Sequence, residues 1–171
     1  SEVISKFQPV APLPVPFPTS WADEERDTSA WLGNELQQEA FSAQIEIAVE
    51  YNKPVIIHCV RAYNEILSSK LLSKHNAPWI VHWFNASFEM GEQLIRKNFY
   101  LSFGHMLFNS KSKAYNAFQK VPDSHIFFET DDAGYTIDEV YRQAALLKNI
   151  KISKLERQII LNFTNCFGIE P

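Results

Sequence analysis

Cysteine and glycine are scarce in this chain, with two cysteines and five glycines among 171 residues. Cys59 and Cys166 stand far apart in apolar surroundings and form no CxxC pair. The two are expected to be reduced core thiols of the cytosolic type, a bridge between them being open but not indicated. No GxGxxG loop follows any strand-like segment, which argues against dinucleotide binding. Positive charge is also short: 16 Lys and Arg face 20 Asp and Glu, for a formal charge of −4. No broad basic face is therefore available to grip nucleic acid, and a phosphate-bearing ligand would need a metal or a small basic cluster. No stretch approaches the ~18 apolar residues of a membrane span. The opening SEVISKFQ lacks the basic-then-apolar order of a secretory signal. The expectation is a soluble cytoplasmic domain without membrane association.

Apolar material is plentiful. Hydrophobic residues make up 46% of the chain and aromatics 13%, enough for one compact core in a length too short for two full domains. Pro9, Pro12, Pro14, Pro16 and Pro18 crowd the beginning and forbid a continuous helix or a central strand there. Residues 1–34 are expected to form an irregular, proline-rich lead-in, and residues 35–171 the folded unit.

From residue 35 onward helix-like and strand-like segments alternate. ELQQEAFSAQIEIAVEYN (35–52) places Leu36, Ala40, Ala43 and Ile47 on one helical stripe, widened by Phe41, Ile45 and Ala48. Strands are expected at 55–59, 79–84, 99–104 and 125–131, with helices between them at 61–74, 87–97 and 110–120. Ile66, Leu67, Leu71, Leu72, Met90 and Leu94 would be the inward residues of the first two connecting helices. Two final helices are each announced by a capping-box pattern, Thr136-x-x-Glu139 and Ser153-x-x-Glu156. Units recurring about every 20–25 residues are consecutive βαβ units. The strands are unbroken apolar runs, as parallel strands covered on both faces are. An α/β fold follows, either a doubly wound open sheet or part of an eight-fold barrel.

In such folds ligands bind where the strands end at their carboxyl termini. KPVIIHCV (53–60) and PWIVHWF (78–84) each end a strand on a histidine, His58 and His82. The fourth strand ends in Glu129-Thr130-Asp131-Asp132. Two imidazoles and a carboxylate at matching depth can converge on one cation such as zinc or manganese. His105 follows the third strand past a glycine and is a weaker candidate for the same centre. His75 and His125 fall at the opposite rim and read as structural. Glu129 shares strand parity with Asp131 and is open to three roles: ligand, partner of a ligand, or buried acid.

PVIIHCVRA, WIVHWFNAS, FYLSFG and FFETDDA, in this order, together with the helix ELQQEAFSAQIEIAVEYNKP and the closing NFTNCFG, resemble the carboxyl-terminal half of the TatD family of metal-dependent deoxyribonucleases. The likeness runs over roughly residues 35–168. It implies a TIM-barrel-type (β/α)8 fold of the amidohydrolase kind, here about four βα units of it, with one or two divalent ions (Mg, Mn or Zn) and phosphodiester bonds in DNA as substrate. It implies that His58, His82 and Asp131 are metal ligands, that Asp131 also directs or deprotonates the attacking water, and that Glu129 supports them. Arg61 and the SKSK run at 110–113 would be the nearest groups for substrate phosphates.

The chain also departs from the family pattern. No His-x-His pair precedes residue 58, and the place of the family's bridging glutamate reads TSWADEERDTSAW, where Glu24 or Glu25 could stand in. The acid that usually follows the arginine of the first histidine motif is Ala62, and Asp132 occupies a position that is normally alanine. Half a barrel would leave the strands at 55–59 and 125–131 with open edges, so self-association through them is a further expectation. The chain could be a piece of a longer enzyme, a truncated relative that pairs with another chain, or a non-catalytic relative that acts as a binding domain.

Overall fold

The computed structural model describes residues 35–60, 62–73, 76–131 and 133–169, without the side chains of 35–38 and 69–73. The lead-in at 1–34, Glu24, Glu25, Arg61, His75 and Asp132 lie outside these residues, as do the side chains of Leu36, Leu71 and Leu72. Helix α1 (Glu35–Glu50) leads into β1 (Val55–His58), α2 (Tyr63–Ser73) and β2 (Trp79–His82). After these come α3 (Phe88–Ile95), β3 (Phe99–Phe103), α4 (Lys113–Phe118) and β4 (Ile126–Phe128). Helices α5 (Ile137–Lys148) and α6 (Ile152–Phe167) close the chain. No helix among the described residues is long and apolar enough to cross a membrane.

The sheet is parallel in the order β1-β2-β3-β4, the arrangement of consecutive βα units that the alternation predicts. Ile57, Val81, Leu101 and Ile126 share one register row and are buried among the helices with Trp79, Leu94, Phe99 and Phe118. The residues one step along must point to the other face, and these include His58 and His82, which are paired directly. On that second face Ile80 and Tyr100 are covered with Phe127, Cys166 and Phe167. Ile56 of β1 remains 63% exposed, so coverage of both faces, expected from the apolar runs, holds only toward β4 among the described residues.

Local chemistry sets the helix boundaries. Ser87 and Ser112 cap α3 and α4, each hydroxyl accepting from an N–H three residues on. Thr136 and Glu139 form the expected reciprocal capping box of α5. The second expected box does not form. Lys151 is the N-cap of α6, and Ser153 lies already inside the first turn. The buried stripe of α1 also differs: Phe41, Ile45 and Ala48 face the core while Ala40, Ala43 and Ile47 are exposed. A ring at 41 has more area to bury than the alanines of the competing stripe, and Phe41 packs edge-on against Trp79. Helix α6 is tied to the amino end of β4 by the buried Asn162 amide. Its Nδ2 donates to the carbonyls of Asp123 and Ile126, both at 2.8 Å, and its Oδ1 accepts from Gln158 at 2.9 Å.

Every strand is shorter than its apolar run. β2 stops at His82 because Trp83 adopts a left-handed backbone (φ 52°), and the chain beyond β4 turns at Asp131 (φ 46°). Both turns fall at the carboxyl rim, beside the candidate residues.

Candidate functional site

The carboxyl ends of β1, β2 and β4 bring His58, His82, Glu129 and Asp131 together. His82 sits at the centre, with its Nδ1 2.8 Å from Glu129 Oε2 and its Nε2 3.5 Å from Asp131 Oδ2. The same Glu129 oxygen accepts from the Ser102 hydroxyl. A carboxylate can only accept, so Nδ1 donates its proton to Glu129, while Nε2 is turned toward Asp131. A histidine oriented by a carboxylate through one nitrogen, with the other turned toward a further donor group, is a usual build of a metal-binding imidazole.

The sequence places Glu129 where it can do this. Ser102 and Gly104 stand on β3 and just past it, and the backbone N–H of Glu129 continues the ladder to Phe103 O at 3.1 Å. Gly104 leaves the necessary room: a Cβ there would lie 3.0 Å from the Glu129 carbonyl oxygen and 3.2 Å from its Cγ. Of the three roles left open for Glu129, partner of His82 is the one its hydrogen bonds occupy.

His58 is exposed beside His82, the ring centroids being 5.5 Å apart. Partial burial against its neighbours and then the adjacent His82 imidazole lower its basicity, opposed by Asp131 and Glu129. A lowered pKa keeps the ring neutral, the form in which imidazole binds metal. His105, in the 3-10 turn His105–Phe108 after β3, reaches the same rim and packs on Trp83 at a centroid distance of 5.4 Å. His125 lies in the turn preceding β4, at the opposite end of the strands, stacked on Tyr100 and bonded to Ser124. Lys111 and Lys113 are exposed beyond β3, while Ser112 between them is buried as the α4 cap.

The donor set fits a divalent ion in chemistry and in part in spacing. Two ligands of a tetrahedral ion with bonds of ~2.05 Å stand about 3.3 Å apart, close to the 3.5 Å between His82 Nε2 and Asp131 Oδ2. Among the described residues no group of three or more His, Cys, Asp and Glu side chains is drawn close enough to hold an ion as it stands. Glu129 is engaged by His82 and Ser102, and His58 meets the His82 ring at a tilt of 45°.

The sequence matches the family described as TatD related DNase over residues 21–168. A metal-dependent hydrolase of Bacillus subtilis, YabD, is 33% identical over 101 residues, or 57% of this chain and 39% of that protein. Another from Escherichia coli, YcfH, is 28% identical over 149 residues, or 78% and 56%. The chain thus spans about half the length of the curated relatives it matches. Among solved structures, the TatD homologue YjjV of E. coli superposes with a TM-score of 0.72 at 20% identity, over 79% of this chain and 57% of that one. A TatD-family hydrolase of Entamoeba histolytica gives 0.68 at 14% identity, over 78% and 57%. These two likenesses show a shared TIM-barrel-type fold. With strand order, rim histidines and family match in agreement, the chain belongs to the TatD-related DNase family.

Proposed function

We propose that this chain supplies one wall of a metal-dependent hydrolytic centre that cleaves phosphodiester bonds in DNA. The observation that carries the reading is the His82 imidazole, held by Glu129 through one nitrogen and facing Asp131 with the other. His58 and His82 would hold the ion with Asp131. A divalent ion bound there would acidify a water molecule and offset charge on a phosphoryl oxygen. Asp131, 46% exposed in its side chain, would orient that water and accept its proton as the water oxygen attacks phosphorus. The P–O ester bond then breaks, and the departing oxygen takes up a proton. Glu129 and Ser102 keep His82 from rotating. Of Mg, Mn and Zn, as one ion or two, zinc takes imidazole nitrogen and carboxylate oxygen alike, while magnesium and manganese favour the oxygen donors.

The test is metal content of the purified chain together with cleavage of an oligodeoxynucleotide titrated with manganese, magnesium or zinc. Bound metal and turnover abolished by EDTA support the reading. Undiminished cleavage by both His58→Ala and His82→Ala removes it.

The lack of a closed three-donor group among the described residues favours a second reading, a non-catalytic relative acting as a binding domain. In that reading β1 and β4, the outer strands of the sheet among the described residues, pair with the edges of a second copy. Light scattering that finds a monomer at all concentrations would rule this out.

A further inference from the structure

Trp83 stands out among the residues that the proposed chemistry does not use. It directly follows His82, is 37% exposed, and holds a left-handed backbone with φ 52°. For an L-residue that conformation is unfavourable, and a bulky aromatic there is an outlier that calls for a reason. The neighbouring contacts show what maintains it. The Phe84 N–H donates to Ser102 O at 2.9 Å, and the Phe84 ring is buried against Tyr63 and Phe103. The turn sends Phe84 into the helix layer and Trp83 out over the rim. There the indole meets two tilted imidazoles, His58 at 5.7 Å and 51° and His105 at 5.4 Å and 53°, neither of them stacked flat on it.

We propose that Trp83 is a stacking platform for an unpaired nucleotide base, which positions the adjoining phosphodiester beside His82 and Asp131. This rests on the phosphodiesterase reading above. Every base has a π-face, so an exposed indole binds single-stranded nucleic acid with little sequence preference. The charge of the chain gives stacking a large share of the work, because a formal charge of −4 leaves little counterion-release binding to hold a polyanion. The substrate class is single-stranded DNA or a frayed end, since paired bases already stack on one another.

The test is equilibrium binding, in EDTA, of a short single-stranded oligodeoxynucleotide and of an all-abasic deoxyribose-phosphate oligomer of equal length. Trp83→Ala should weaken binding of the base-bearing oligomer about tenfold, the size of one base–aromatic stack, and leave the abasic one alone. Trp83→Phe should recover most of the loss, and the fluorescence change that the parent shows on binding should vanish in that variant. Equal loss on both oligomers, no loss on either, or no measurable binding of the base-bearing oligomer by the parent overturns the proposal. Cleavage with added manganese separates the two claims. If parent and Trp83→Ala cut the base-bearing oligomer with equal KM, stacking alone falls. If the parent never cuts but the binding difference persists, the hydrolytic reading alone falls.

Discussion

Gly104→Ala is the sharpest probe of how the site is built, because it touches neither a proposed ligand nor a substrate. The new Cβ would lie 3.0 Å from the Glu129 carbonyl oxygen and 3.2 Å from its Cγ. Ordinary contacts are several tenths of an ångström longer, so either the end of β4 or the Glu129 side chain must move. Glu129 has little freedom, since its Oε2 is shared by His82 Nδ1 and the Ser102 hydroxyl. Overpacking of this kind costs ~1–3 kcal/mol, which lowers Tm by about 2–12 °C in a chain of this size. Displacing the carboxylate that orients a metal-binding histidine weakens metal affinity by about 10–100-fold. Gly168→Ala is the matched control. Gly168 caps α6 at φ 68° with nothing within 4 Å of a Cβ, so alanine there costs about 1 kcal/mol in backbone strain without touching the rim. Calorimetric titration with manganese, beside thermal melts of parent and both variants, reads the outcome. The reasoning fails if Gly104→Ala binds metal like the parent, or if Gly168→Ala loses affinity to the same degree.

Asn162→Leu should cost about 2–4 kcal/mol, since it removes the donor shared by the carbonyls of Asp123 and Ile126, and a melt should show a drop of about 5–15 °C. Backbone and hydroxyl donation from Thr136 holds the Glu139 carboxyl below its ordinary value. The stability it adds is therefore present above the ordinary carboxylate pKa of ~4.3 and lost as pH falls through the lowered folded value. The Tm gap between parent and Glu139→Gln, open at neutral pH, should close on acidification, and a gap that widens would refute the assignment. Burial pushes the thiol of Cys59 up to about 11 and that of Cys166 up to about 12, so iodoacetamide at neutral pH should add mass only after denaturation.

Much of this architecture was legible because its signals are coarse. Four apolar runs separated by helical periodicity are enough to predict parallel βα units. The histidines that end the first two runs lie in register because their strands pair residue for residue from Val55 with Trp79. What the chain hid depends on contacts across the fold. Leu36, Ala40, Ala43 and Ile47 form as regular a stripe as Phe41, Ile45 and Ala48, and the position of Trp79 decides between them. Ser153 carries a capping pattern that fails because the helix starts two residues earlier. The partnership of Glu129 with Ser102 links two strands and has no signature in either. Trp83 escaped notice although a large aromatic directly after a strand-end histidine was open to view, because an apolar residue there reads as one more step of the strand.

The burial of the strands is uneven. All five residues of β3 are buried, whereas β1 reads half-buried, exposed, buried, exposed, with β2 as its neighbour in the sheet. Amide exchange should follow that gradient, slowest at Leu101 and fastest along 55–58, because local opening is easiest where few apolar contacts must part. His58 rides on β1, an outer strand among the described residues. Gentle warming would then detach one imidazole from the other rim groups while the helical signal stays intact, and an ion held as proposed would be lost before unfolding.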